Sequence, residues 1–187
     1  RETEMLMRRA MCEDQQAWRE LVNRNSALVW GTARAYSATP ADAEDVYQVT
    51  WLLLAENVTR LRDPGALPGW LVTTARREAI RTAKARQRES PVGVDSSMLV
   101  TADQSEGPEN VALRSMLASR MWRAFTQLSR RCQQLLRVIA VAPDASYTQV
   151  SAALGIARGT VGPKKIRCLA ALRRQMASMD MLEEAAG

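Results

Sequence analysis

The chain has 187 residues and carries 26 lysines and arginines against 20 aspartates and glutamates, with no histidine. Without histidine it lacks the commonest general base, the Ser-His and Cys-His nucleophile pairs and every histidine metal site, so we expect no catalytic residue, no metal and no cofactor. The net charge of +6 favours a polyanionic partner.

The N-terminal part, residues 1–88, is predicted to be helical. Strand-like alternation is absent, and Ala, Leu, Arg, Met, Gln and Glu dominate. Residues 4–10 are predicted to be an apolar lead that frays easily. The apolar spacing within residues 14–37 fits one broken helix or two short ones.

The next two helices have clear start signals. Thr39 and Pro40 favour a helix start, because threonine caps a first turn and proline suits the first helical position. Residues 62–69 are rich in turn formers and predict a loop. Beyond the loop, a helix is expected from Trp70 to about Arg88.

An acidic segment, residues 89–110, interrupts the helical pattern. It carries five acids and no base, and it is rich in Ser, Asp, Gly and Pro without a helical period. This composition predicts a flexible linker. The expected fold is therefore all-α, with two small helical domains at residues 1–88 and 111–187.

The C-terminal domain contains a helix-turn-helix pattern within residues 145–176. It follows predicted helices at about residues 110–127 and 131–141. Gly155 suits the turn, because the chain leaves the first helix in a conformation that is costly for residues with a Cβ. The second helix carries six basic residues and no acid in this stretch, which is typical of a helix that enters a DNA major groove. A plain helical hairpin with a solvated basic face is the alternative.

Charge is distributed unevenly along the chain. Residues 41–57 carry four acids and no base, whereas residues 76–88 carry six bases and one acid. Two basic patches separated by an acidic linker favour two DNA contacts on one ligand over a uniformly basic surface.

Two segments resemble sigma factors of the extracytoplasmic-function class, within the sigma-70 family. The sequence from Asp42 to Gln48, followed by Trp70 to Glu78, resembles the second conserved region of that family. The sequence from Leu128 to Leu136, followed by Tyr147 to Val161, is similar to the fourth region. The resemblance implies a bacterial RNA polymerase subunit whose first domain binds the polymerase clamp and melts the −10 promoter element, while the second reads the −35 element.

The resemblance and the charge pattern together select three sets of candidate residues. The set expected to bind core polymerase is Asp42, Glu44, Asp45 and Gln48. The set expected at the −10 element is Trp70, Arg76, Arg77, Arg81, Lys84 and Arg88. The set expected at the −35 element is Arg158, Thr160, Lys164, Lys165 and Arg167. The acids could instead serve only the helix dipole, the arginines could form a solvated stripe, and Trp70 could be a core residue.

Four positions depart from the family pattern. Val49 stands where many members have glutamate, which weakens any ionic contact there. Arg77 stands where asparagine is common, so base preference at −10 is expected to differ. Gly162-Pro163 replaces a more frequent Lys-Ser, and we expect a recognition helix that starts near Arg158 with a local irregularity at Pro163.

Three functions are compatible with these features. The leading one is a cytoplasmic sigma factor, not an enzyme, that binds the beta and beta-prime subunits of core RNA polymerase and promoter DNA, and that an anti-sigma factor could hold. The second is a helix-turn-helix repressor or activator that acts as a dimer. The third is a helical adaptor for acidic proteins. The odd cysteine count, with Cys12, Cys132 and Cys168 far apart and no recognisable secretory signal, favours a reducing cytosol. No apolar run approaches the roughly 20 residues that span a bilayer.

Overall fold

The computed structural model describes the backbone of residues 2–89 and 108–186 and the side chains of residues 2–89 and 116–181. Regular structure in these residues is entirely helical, which confirms the all-α fold class. The helices are α1 (Glu2–Met11), α2 (Gln15–Tyr36), α3 (Pro40–Asn57), α4 (Leu67–Glu89), α5 (Pro108–Thr126), α6 (Arg130–Val141), α7 (Tyr147–Leu154) and α8 (Arg158–Ala186). The predicted linker falls mostly at residues 90–107, outside the described residues.

Helices α1 to α4 form an N-terminal module around one apolar core. The Asp14 carboxylate accepts hydrogen bonds from the backbone N–H groups of Gln16 and Ala17 and so caps α2. Thr39 caps α3 as predicted, because its Oγ1 accepts a hydrogen bond from the backbone N–H of Asp42. These caps satisfy N–H groups that the helix itself leaves without partners.

Two expectations for the N-terminal module are wrong. The segment predicted to fray is helix α1, because its Leu6 and Met7 are buried in the core. The segment predicted to be broken is the single helix α2, which continues through Gly31. Glycine is tolerated there because a Cβ at Gly31 would lie 3.4 Å from the backbone of Val138 on α6, so the position serves a close helix approach.

Helix α4 begins three residues earlier than predicted. A short 3-10 turn at Pro64–Ala66, capped by the Asp63 side chain, leads directly into Leu67. Leu67 is completely buried in the N-terminal core, so packing sets the start of the helix before Trp70.

Helices α5 to α8 form a C-terminal module that contains the helix-turn-helix. Ser146 and Gln149 make a reciprocal capping box at the start of α7. Gly155 ends α7 in the left-handed conformation, with φ of 62°, as its place in the turn predicted. Helix α8 starts at Arg158, which confirms the expected start, and it continues through Pro163.

The two modules pack against each other, which the sequence did not indicate. Helix α2 lies against α6, and α4 lies against α7. Leu28 and Val72 of the N-terminal module belong to the apolar cluster that is otherwise built from α5 to α8. We call this contact the module interface.

A disulfide joins Cys132 of α6 to Cys168 of α8, where the sequence favoured reduced cysteines. The two residues are 36 positions apart, so spacing alone gave no signal for the pair. Their Cα atoms lie 5.3 Å apart because α6 and α8 pack side by side, and Cys168 is buried there. Cys12 is free and exposed.

Candidate nucleic-acid and polymerase interfaces

The outward face of α3 carries three of the four residues expected to bind polymerase. Glu44, Asp45 and Gln48 are all exposed. Leu52 lies one turn beyond Gln48 on the same face, and 63% of it is exposed. The sequence analysis did not select Leu52, because an apolar residue in a helix gives no signal of its own for an exposed interface. We call Asp45, Gln48 and Leu52 the α3 face.

Asp42, the fourth residue of that set, is differently placed. Its carboxylate forms an ion pair with Arg86 of α4, and only 17% of its side chain is exposed. The same Arg86 Nη1 also donates a hydrogen bond to Thr39 Oγ1 at 3.2 Å. Asp42 therefore links the start of α3 to α4 through Arg86. It is not part of the exposed α3 face.

The outward side of α4 carries the basic stripe that the sequence predicted. Arg77, Arg81, Lys84 and Arg88 are exposed and follow one another at helical spacing. Glu78 lies beside the stripe, and its Oε2 accepts a hydrogen bond from Arg81 Nη2 at 2.6 Å. This hydrogen bond raises the pKa of Arg81 above its usual range, so the guanidinium stays charged. We call these four basic residues the α4 stripe.

Arg76 lies apart from the α4 stripe, in the module interface. Its Nη1 donates hydrogen bonds to the backbone oxygens of Ala152 at 2.7 Å and Ala153 at 3.2 Å. The hydroxyl of Tyr36 donates to the next carbonyl, that of Leu154, at 3.3 Å. These carbonyls end α7 and have no helical partner, so a cation there is favoured by both hydrogen bonding and the helix dipole.

Trp70 is half-buried and packs against the N-terminal core. Three other aromatic residues of this module form an edge-to-face series in which Tyr47 contacts Trp30 and Trp51 at ring centroid distances of 6.0 and 5.8 Å. Trp70 thus combines a packing role with a partly open side chain beside the α4 stripe.

The residues expected at the −35 element lie on two parts of α8. Arg158, Thr160 and Arg167 are exposed, whereas Lys164 and Lys165 are half-buried. The Thr160 hydroxyl already donates to the carbonyl of Ala157 at 2.7 Å. Ile166, which the sequence reading did not select, is 70% exposed between these basic residues.

Neither a metal cluster nor a membrane span is found in the described parts of the chain. No group of three or more Cys, Asp or Glu side chains there could hold a metal ion. No described helix is both long enough and apolar enough to cross a bilayer.

Comparison with known proteins shows similarity to sigma factors. Residues 21–89, which include α3 and α4, match the family model for sigma-70 region 2. The chain is 27% identical over 147 residues to the ECF RNA polymerase sigma factor SigE of Mycolicibacterium smegmatis. That alignment covers 78% of this chain and 56% of SigE, so the chain spans little more than half the length of this relative.

Two solved structures share the fold. One is CnrH in complex with the cytosolic domain of CnrY, at 18% identity and a TM-score of 0.61, covering 95% of this chain and 99% of CnrH. The other is the sigma factor RpoE of Bartonella quintana in complex with the anti-sigma factor NepR, at 20% identity and a TM-score of 0.62, covering 85% and 96% of the two chains.

Residues 21–89 are thus similar in sequence to sigma-70 region 2, and the described helices share the fold of CnrH and RpoE.

Proposed function

We propose that this protein binds core RNA polymerase and directs it to promoters through separate contacts with the −10 and −35 elements. The observation that carries the proposal is the simultaneous exposure of an acidic and polar face on α3 and of basic faces on α4 and α8. In this reading the α3 face meets the beta-prime clamp, the α4 stripe meets DNA at −10, and the N-terminal half of α8 enters the groove at −35.

The proposal assigns no chemistry of its own to the chain. Polymerase would make the phosphodiester bonds, so the protein would act in the cytoplasm as a specificity subunit and not as an enzyme. A polymerase subunit of this kind meets the beta and beta-prime subunits and promoter DNA. The relatives CnrH and RpoE are each described in complex with a protein partner, which supports an anti-sigma factor as a further partner here.

The α3 face favours this function over a dimeric helix-turn-helix repressor. A repressor needs only the DNA-reading helix and a dimer contact. It leaves unexplained why a second basic stripe lies on α4 and why an exposed leucine lies among acids and amides on α3. Large apolar side chains ringed by polar groups are typical of protein interfaces.

The direct test is reconstituted transcription. Core RNA polymerase is combined with the purified chain and a library of promoter fragments, and the initiated transcripts are sequenced. The proposal requires transcripts that begin at defined distances from shared −10 and −35 sequences. A dimeric repressor or an adaptor would add none to the background of core polymerase.

Reversal of one charge on the α3 face is expected to weaken assembly with polymerase. Asp45→Lys removes an attraction to a basic partner and adds a repulsion, so we expect at least a tenfold rise in the Kd for core polymerase. The fold is expected to survive because Asp45 is exposed. The matched control is Glu13→Lys, the same charge change at an exposed turn away from α3. Equal Kd values for both variants would exclude the α3 face as the contact.

Loss of one cation from the α4 stripe is expected to act equally on all promoters. Lys84 is exposed with an open path to a phosphate, and phosphate contacts carry no sequence information. Lys84→Ala should lower initiation by a similar few-fold factor on every promoter and reduce the slope of log affinity against log salt by about one. Arg62→Ala, in the exposed loop before α4, is the control. A promoter-dependent loss would instead indicate that Lys84 reads bases.

A further inference from the structure

The outward ridge of α8 is small and apolar, although the helix as a whole is basic. Gly159, Pro163, Ile166 and Ala170 succeed one another at spacings of four, three and four residues, which places them on one line along the helix. Gly159 and Pro163 are exposed, and Ile166 is 70% exposed. None of these four side chains has a hydrogen-bond donor or acceptor.

The opposite side of α8 establishes that this ridge faces away from the protein. Val161 and Cys168 are 0% and 1% exposed and belong to the C-terminal apolar cluster. They lie about half a turn around the helix from the ridge. A Cβ at Gly159 would meet no atom within 4 Å, so space is open in front of the first turn of the ridge.

Basic side chains stand on both sides of the ridge. Arg158 and Arg173 lie on one side, and Arg167 and Arg174 lie on the other; all four are exposed. When a helix enters the major groove, cations on its two flanks face the two phosphate walls and the ridge between them faces the base edges. The flanking arginines therefore suit the backbone, and the ridge takes the position that reads sequence.

An aliphatic side chain at the base edges has one partner of matching chemistry. Each base pair presents donors and acceptors in the major groove, and only thymine adds a methyl group. Ile166 is the largest side chain of the ridge, and Gly159 and Pro163 let the helix approach the groove closely. We propose that Ile166 reads the C5 methyl group of a thymine in the −35 element. This inference rests on the proposed function, and it assigns sequence selection to Ile166 in place of the half-buried Lys164 and Lys165.

The test removes the methyl group from the DNA. A −35 sequence is first selected by the wild-type holoenzyme from a randomised library, and each thymine is then replaced by deoxyuridine, one at a time. Wild-type holoenzyme should lose about fourfold in initiation at one position, the factor expected for burying one methyl group. Ile166→Ala should start lower on the thymine template and show no further loss on the deoxyuridine template.

A matched variant separates base reading from general DNA affinity. Arg167→Ala should lower initiation on all templates while keeping the loss caused by deoxyuridine. If wild-type holoenzyme selects no thymine at −35, or if Ile166→Ala stays as sensitive to deoxyuridine as wild type, the inference is overturned. Promoter-specific transcripts from wild type in the same experiment would leave the proposed function standing. Their absence would overturn that function itself.

Discussion

Replacement of Val72 by aspartate is expected to separate the two modules and leave the N-terminal module folded. Val72 and its neighbour Leu71 are both completely buried, but they face different cores. Leu71 belongs to the core of α1 to α4, whereas Val72 belongs to the cluster formed mainly by α5 to α8. An unpaired carboxylate costs several kcal/mol when it is buried. In Val72→Asp, opening of the module interface returns the charge to water, whereas in Leu71→Asp only unfolding of the N-terminal module can do so.

Small-angle X-ray scattering and circular dichroism distinguish the two outcomes. A compact chain of this length has a radius of gyration of roughly 16 Å. Val72→Asp should raise that radius by several ångströms with helical content retained, whereas Leu71→Asp should lose helical content. A folded Val72→Asp variant with an unchanged radius would show that the module interface withstands a buried charge, or that the modules are already apart in solution.

The module interface also contains polar groups that oppose its apolar contact. Arg137 of α6 donates a hydrogen bond to the carbonyl of Arg34 on α2 at 3.1 Å, and its guanidinium lies over the rings of Trp122 and Phe125. Burial, with a smaller contribution from the nearby Arg34 charge, lowers the pKa of Arg137 to about 10. Arg34 Nη1 is buried without a hydrogen-bond partner. A half-buried pair of like charges, one of them with an unsatisfied donor, opposes the apolar contact.

Opening of the module interface would release Arg76 from its contact with α7. Arg76 was expected at the −10 element, but in the closed arrangement it caps the end of α7. It would be free for DNA only after α4 and α7 separate. While the modules are packed together, Arg76 is therefore occupied by its hydrogen bonds to α7, whereas the α4 stripe remains exposed.

Reduction of the disulfide is expected to destabilise the C-terminal module strongly. The Cys132–Cys168 bond closes a loop across 36 residues, and a cross-link of this span removes enough entropy from the unfolded chain to contribute about 4 kcal/mol. Urea unfolding of the purified oxidised protein, monitored by circular dichroism, should therefore shift to clearly lower urea when dithiothreitol is added.

Two variants isolate that bond as the cause. Cys132→Ala cannot form the disulfide, so its unfolding curve should match the reduced protein and should not respond to dithiothreitol. Cys12→Ser, at the exposed free cysteine, should keep the full response. Identical curves for the wild-type protein with and without dithiothreitol would show that the two thiols are not bonded in solution.

Local sequence signals lie at the starts of three helices. Thr39 with Pro40, Ser129, and Ser146 with Gln149 are short-range caps, and α3, α6 and α7 begin where these residues lie. Gly155 takes the left-handed turn conformation for the same local reason. That the four residues of the α4 stripe share one face also follows from helical spacing alone, because residues four and seven apart lie on the same side of a helix.

Contacts of side chains with helices far away in the sequence could not be predicted in this way. Arg76 and Arg77 are adjacent and chemically identical, yet one caps α7 and the other faces solvent. Asp42 and Asp45 belong to one acidic turn, yet Asp42 is held by Arg86, which is 44 residues away. The pairing of Cys132 with Cys168 depends in the same way on α6 lying beside α8.

The sequence by itself thus determined most of the helices, the helix-turn-helix, the uneven charge and the resemblance to sigma factors, because each depends on residues close together in the chain or on a linear motif. Only the tertiary structure decided which basic and acidic side chains remain free, that Leu52 and Ile166 are exposed, and that the modules share a core. These properties depend on contacts between helices far apart in sequence, and an apolar residue at helical spacing has the same pattern whether its face is covered by another helix or left open to a partner.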